Sequence, residues 1–154
     1  MYLGLLDRVS TSMQRILLVE DDRSIRTIIA LQLRILGYQV ETAEDGEIGI
    51  ELFTKLGNFD LVITDIRMPR KDGNEVATHI RSSARALTPI VAITAYKDEV
   101  QTDLFNLSII KPFRNEELIR IIRFLEHAYS GEAGQAPKDM EQAAIESFSD
   151  LRKN

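Results

Sequence analysis

The residues able to do chemistry in this chain are few and regularly placed. Glu20 and Asp21 follow the apolar run 15–19, with Asp22 next. Asp65 follows Leu61, Val62, Ile63 and Thr64, Thr94 closes the run 90–94, and Lys111 follows 107–110. Each run is short, apolar and rich in β-branched residues, so each group stands at the carboxyl end of a buried strand. Three or four carboxylates gathered without a counter-charge repel one another and force at least one pKa upward. A hard divalent cation relieves that repulsion, and magnesium suits the set because it takes oxygen ligands, one or two carboxylates plus a phosphate oxygen. With the charge balanced, Asp65 can stay ionised and act as a nucleophile toward phosphorus. Lys111 then supplies a point positive charge and the Thr94 hydroxyl a hydrogen bond to the transferred group.

Such a site needs elements that bring the strand ends to one edge. "RILLVE" (15–20), "YQVETA" (38–43), "FDLVITD" (59–65), "TPIVAITA" (88–95) and "LSII" (107–110) read as strands, Pro89 being tolerable because it lies at a strand entry. The intervening segments read as helices. Ile25, Ile28, Ile29, Leu33 and Leu36 form an inner stripe that Gly37 terminates, with Asp22 as the N-cap. Ile48, Leu52, Phe53 and Leu56 line a second helix, and Val76, Ala77, Ile80 and Ala84 a third. Residues 97–106 read as a weak fourth helix, and 114–129 as a strong one with Leu118, Ile121, Ile122 and Leu125 inward. Strands alternating with helices predict right-handed crossovers and a five-stranded parallel sheet covered on both faces, a three-layer α/β/α sandwich. Ligands of such sheets bind outside the carboxyl ends of the strands.

Residues 1–14 are read as an N-terminal extension, 15–129 as one domain, and 130–154 as a small-residue linker ("SGEAGQAP") with a terminal amphipathic helix. Met140, Ala144, Phe148 and Leu151 share one stripe of that helix, which suits packing on the domain or a twin chain, or a partner. The 154 residues carry 44% hydrophobic and 28% charged residues, a globular balance. A net charge of −5 opposes a nonspecific grip on nucleic acid. The absence of cysteine excludes disulfides and thiolate metal sites. No apolar run approaches the roughly 20 residues of a membrane span, and the N-terminal apolar patch lacks the basic region of a signal peptide, so a cytoplasmic protein is expected.

"LLVEDDRSIR", "LVITDIRMPRKDG", "PIVAITA" and "IIKPF" occur in the order and approximate spacing of the response-regulator receiver domains of two-component signalling. From about Arg15 to Tyr129 the chain resembles that family. The resemblance implies a flavodoxin-like (CheY-like) topology and a magnesium-dependent phosphoacceptor. Asp65 would be the phosphoacceptor, Asp21 a direct magnesium ligand, Glu20 a ligand through water, and the backbone carbonyl of Arg67 the third protein ligand. Thr94 would be the switch hydroxyl and Lys111 the phosphate-contacting lysine, usually followed by a cis bond to proline. Arg67 and Tyr96 would flank the path of water to the phosphoryl group. The implied partners are a histidine kinase or histidine phosphotransfer protein and a downstream protein target. With no DNA-binding or enzymatic output domain and no apolar span read in these residues, no direct DNA binding, membrane association or enzymatic output is expected.

Two features depart from the family. The interval from Thr94 to Lys111 is short, which predicts a shortened fourth helix, and Ser108 stands where an aromatic residue commonly signals activation. A stand-alone receiver is the reading these residues favour; the alternative is a receiver-fold interaction module not switched by phosphorylation. A flavin or nucleotide enzyme of the same fold would need a Gly-rich loop after the first strand, where this chain has acids. His79 and His127 lie in helices away from the strand ends and are read as solvated or partly packed, and the arginines of 81–85 as an exposed helix end.

Overall fold

Four short runs rich in Ile, Leu and Val become the strands β1 (Arg15–Val19), β3 (Leu61–Asp65), β4 (Ile90–Thr94) and β5 (Leu107–Ile110), and the alternating segment Gln39–Ala43 becomes β2. The structure, a computed structural model, describes residues 13–129. The expected linker and terminal helix, and nearly all of the N-terminal extension, lie outside the described residues. All pairings are parallel, in the order β2-β1-β3-β4-β5, so the strand order reverses between β1 and β3. The helices are α1 (Arg23–Ile35), α2 (Gly46–Leu56), α3 (Gly73–Arg81) and α4 (Asn115–Tyr129).

Gln14–Phe113 forms one compact unit. Leu17, Val19, Val62 and Ile90 point to one face of its sheet and pack with Phe53, Val76, Ala77 and Ile80 of α2 and α3. Ile16, Leu18, Leu61 and Ile63 are one residue out of phase, face the other way and are completely buried. On that side α1 lies against β1 and β2 and buries Ile29, Ala30 and Leu33. Taken by itself, α4 buries Leu118, Ile121, Ile122 and Leu125, the four positions its periodicity singles out.

The punctuation follows the sequence closely. Asp22 caps α1 by accepting from the Ile25 amide at 2.9 Å, and Gly37, at φ +97°, turns the chain out of the helix. Asp45 caps α2, and Asp72 with Glu75 forms a reciprocal capping box on α3.

Helix faces are less legible. Ile28 and Leu36, expected inside, are 52% and 44% exposed, while Ala30 is buried. The reason is that α1 carries apolar side chains on most of its circumference, so periodicity cannot choose which arc faces the sheet. Leu56 is likewise exposed, and α3 stops at Arg81, leaving Ala84 in the exposed turn beyond it.

The expected shortening of the fourth helix goes as far as two single 3-10 turns, Lys97–Glu99 and Thr102–Leu104. Residues 95–106 must return the length of β4, which a helix at 1.5 Å per residue would cover in about 11 residues, leaving almost nothing for turns at either end. Side chains of α3 hold the segment instead. Asn74 donates to the Glu99 carbonyl at 2.7 Å and accepts from the Gln101 amide at 3.0 Å. Arg81 donates to the carbonyls of Leu104, Ala86 and Thr88 and to Asn106 Oδ1, at 2.6–3.0 Å. Arg81 is thus a partly buried anchor, unlike the exposed Arg85 with which the sequence pairs it.

Candidate functional site

Each candidate side chain is delivered by a strand end. Asp65 ends β3 beside Ile93 of β4; its Oδ1 accepts from the Ile66 amide at 2.7 Å and its Oδ2 from Lys111 Nζ at 2.8 Å. Lys111 follows β5, and its ammonium also donates to Glu20 Oε2 at 3.0 Å. Glu20 leaves β1 completely buried, and its Oε1 accepts from the Asp22 amide at 3.2 Å. Asp21 is exposed, yet its carboxylate and those of Glu20 and Asp65 place oxygens within 4.8 Å of one another. Thr94 is buried at the end of β4. Its Oγ1 accepts from the Tyr96 amide at 3.0 Å, and its carbonyl accepts from the Lys111 amide at 2.8 Å. The Lys111–Pro112 bond is cis.

The chain then turns sharply. The Gly73 amide donates to the Ile66 carbonyl at 2.8 Å, and a Cβ at Gly73 would sit 2.1 Å from the Asp65 carbonyl oxygen. Only glycine permits α3 to start this close behind the acidic strand end.

One lysine stands against three acids and bonds two of them, Glu20 and Asp65, and the electrostatics record the deficit. Burial, with the nearby Asp65 charge, pushes the Glu20 carboxyl up to about 7 in spite of Lys111. Burial disfavours the Lys111 ammonium, but its hydrogen bond to Asp65 and the pull of Glu20 outweigh that and hold its pKa above the usual lysine value. A buried glutamate pushed this high beside two more carboxylates is the charge pattern a hard divalent cation fits, and all the donors are oxygens.

The Arg67 side chain is held by residues of the segment after β4. Its guanidinium lies 3.5 Å from the centroid of the Tyr96 ring and forms a two-pronged ion pair with Glu99, with Nε donating to Oε2 at 2.7 Å. Arg67 and Tyr96, two separate flanking groups in the sequence, form one stack. Ser108 lies beside Ala92 on β5 with its side chain exposed. His79 is half-buried, 3.1 Å from Thr54 Oγ1, and His127 is exposed.

Sequence reasoning missed the ion pair between Asp45 and Arg70. Asp45 is completely buried and accepts from the Ile48 amide at 2.9 Å and from Arg70 Nε at 2.7 Å. Its capping role is written in "EDGE", an acid directly before a helix. Its partner, in the loop after β3, is not. A Cβ on Gly46 would come 2.0 Å from the Lys71 carbonyl oxygen, so this corner is pressed against the loop that carries Arg67.

The sequence profile of the response regulator receiver domain matches residues 16–123. The response regulator MprA of Mycobacterium leprae is 36% identical over 143 residues, covering 89% of this chain and 59% of that protein. This chain therefore spans about three-fifths of the length of that relative. Among solved structures, the response regulator protein TrrA of Thermotoga maritima in complex with Mg2+-BeF superposes with a TM-score of 0.67 at 36% identity, over 73% of this chain and 99% of that one. The receiver domain of the sensor histidine kinase PA1611 of Pseudomonas aeruginosa, with magnesium coordinated in its active-site cleft, gives a TM-score of 0.65 at 32% identity, over 75% and 99%. With its strand order 2-1-3-4-5 and its acids, threonine and lysine at the strand ends, the chain belongs to the response-regulator receiver family.

Proposed function

We propose that this receiver domain is a magnesium-dependent phosphoacceptor that takes a phosphoryl group onto Asp65 from the phosphohistidine of a histidine kinase or phosphotransfer protein. The observation that carries this reading is the Lys111 ammonium bonded to both Glu20 and Asp65, with Asp21 in the same cluster. Asp21, Asp65 and the Arg67 carbonyl would hold magnesium directly and Glu20 through water, and the ion would supply the positive charge the cluster lacks.

The chain's own residues do the rest. Asp65 Oδ1 is bonded to the Ile66 amide and so fixed in orientation. An Asp65 carboxylate oxygen forms the new O–P bond as the N–P bond of the donor breaks, and the donor imidazole keeps the electron pair. Lys111 is a cation at neutral pH and balances charge on the transferring phosphoryl oxygens. The Thr94 hydroxyl, bonded to the Tyr96 amide at rest, donates to the phosphoryl group once it arrives.

Acetyl phosphate with magnesium should add one phosphoryl group to the protein, and none to Asp65→Asn or to the wild type in EDTA. Full labelling of Asp65→Asn would refute the assignment. The single-turn segment after β4 and the exposed Ser108 favour a second reading, an interaction module on the same fold that is not switched by phosphate. Beryllofluoride titration separates the two, because only a phosphoacceptor binds the mimic in a magnesium-dependent way.

A further inference from the structure

Arg67 stands two residues beyond Asp65, and its guanidinium ties the loop after β3 to the segment after β4 at two points. Through its ion pair it holds Glu99, the last residue of the first 3-10 turn. Through its face it lies on Tyr96, whose amide in turn is bonded to Thr94 Oγ1 at 3.0 Å. Through its own backbone it belongs to the loop that leaves Asp65. The segment it holds is lightly built: Val100 is its buried apolar side chain, and the protected amides are those of Tyr96, Glu99, Val100, Gln101, Leu104 and Phe105, bonded at 2.9–3.4 Å. The Arg67 and Glu99 side chains are 57% and 37% exposed, so water and competing anions reach the pair and it holds only weakly.

We propose, on the basis of the phosphoacceptor reading above, that the Arg67 side chain is a phosphoryl-binding group which Glu99 holds back in the unphosphorylated protein. A phosphoryl group on Asp65 brings close to two negative charges and three acceptor oxygens next to a side chain two residues away. Glu99 offers one charge and two oxygens. The phosphoryl group matches the planar fork of the guanidinium as well as a carboxylate does, so the exchange keeps bidentate geometry. The Tyr96 ring keeps the guanidinium face covered during the transfer. The Thr94 hydroxyl turns to the same phosphoryl group and lets go of the Tyr96 amide. Of the three ties between the acceptor site and residues 96–101, the stack on Tyr96 stays, while the ion pair to Glu99 and the bond from the Tyr96 amide to Thr94 are broken in one event. The signal leaves through the segment that replaces the fourth helix, with no need of an aromatic side chain at Ser108.

The test uses the full chain with magnesium and beryllofluoride as the phosphoryl mimic, reading affinity by titration and the 96–105 amides by hydrogen exchange. In the wild type, the mimic should speed exchange across 96–105. Glu99→Gln removes the competitor, so the mimic should bind about fivefold tighter, with exchange already fast before it is added. Arg67→Ala removes the ligand, so the mimic should bind about fivefold more weakly, with exchange fast throughout. A purely structural ion pair would move both variants the same way. Affinities shifting in the same direction, or wild-type exchange unchanged on saturation, would overturn the inference while leaving the phosphoacceptor reading intact. Failure of the wild type to bind the mimic at all would instead overturn that reading, and this inference with it.

Discussion

Glu20 and Asp45 are both completely buried carboxylates, and their surroundings push them in opposite directions. Burial and the Asp65 charge raise Glu20. Burial would raise Asp45 too, but the Ile48 amide and the Arg70 guanidinium hold it below its ordinary 3.8. A carboxyl with a depressed folded-state pKa contributes stability that is present above its unfolded value and lost as pH falls through the folded one. Asp45→Asn should therefore be less stable than the wild type at neutral pH, by an amount that holds steady down to about pH 5 and shrinks below about pH 4. Urea unfolding of both proteins across that range checks it; a gap that does not narrow in acid would show that the Asp45 charge is irrelevant.

The segment 95–106 has too few residues for a helix and no apolar stripe of its own, so its order comes from α3. Arg81 is the main anchor, with hydrogen bonds to three carbonyls and the Asn106 side chain, which itself accepts from the Ile90 amide at 2.7 Å. Arg81→Ala should cost about 2–4 kcal/mol of unfolding free energy, because partly buried carbonyls lose a charged donor. Arg81→Lys should recover little of it, since one ammonium cannot reproduce the guanidinium fork. Denaturant unfolding of the two variants decides the point, and a loss below about 0.5 kcal/mol in Arg81→Ala would place the anchoring elsewhere.

In the domain as a whole, the buried carboxylates Glu20 and Asp65 sit together where the strands end. Lys111 pairs with Glu20 and Asp65, which leaves the Asp21 charge to be carried by solvent or a cation. Asp21→Asn should raise the melting temperature of the metal-free protein by a few degrees, about 1 kcal/mol of relieved repulsion. It should also remove most of the further rise expected of magnesium in the wild type under the proposed binding to the folded state. Thermal melts in EDTA and in magnesium test both halves; a metal-free Asp21→Asn that melts below the wild type would contradict the repulsion.

The strands, their parallel order, the caps at Asp22 and Gly37, and the gathering of Glu20, Asp21, Asp65, Thr94 and Lys111 were all legible in the sequence. Each depends on local pattern, since a short apolar run makes a strand, and alternation with helices forces the strand ends onto one edge. The family resemblance carried the cis bond after Lys111. What tertiary structure alone decided lies between elements. The arc of α1 that faces the sheet was misassigned at Ile28 and Leu36 because most of its circumference is apolar. Arg70 reaches Asp45 from 25 residues away, and Arg67 reaches Glu99 from 32, distances over which no periodicity speaks. A charged side chain in a loop reads as solvated until the partner that folding brings to it is known, and here those partners shape the surroundings of the candidate site.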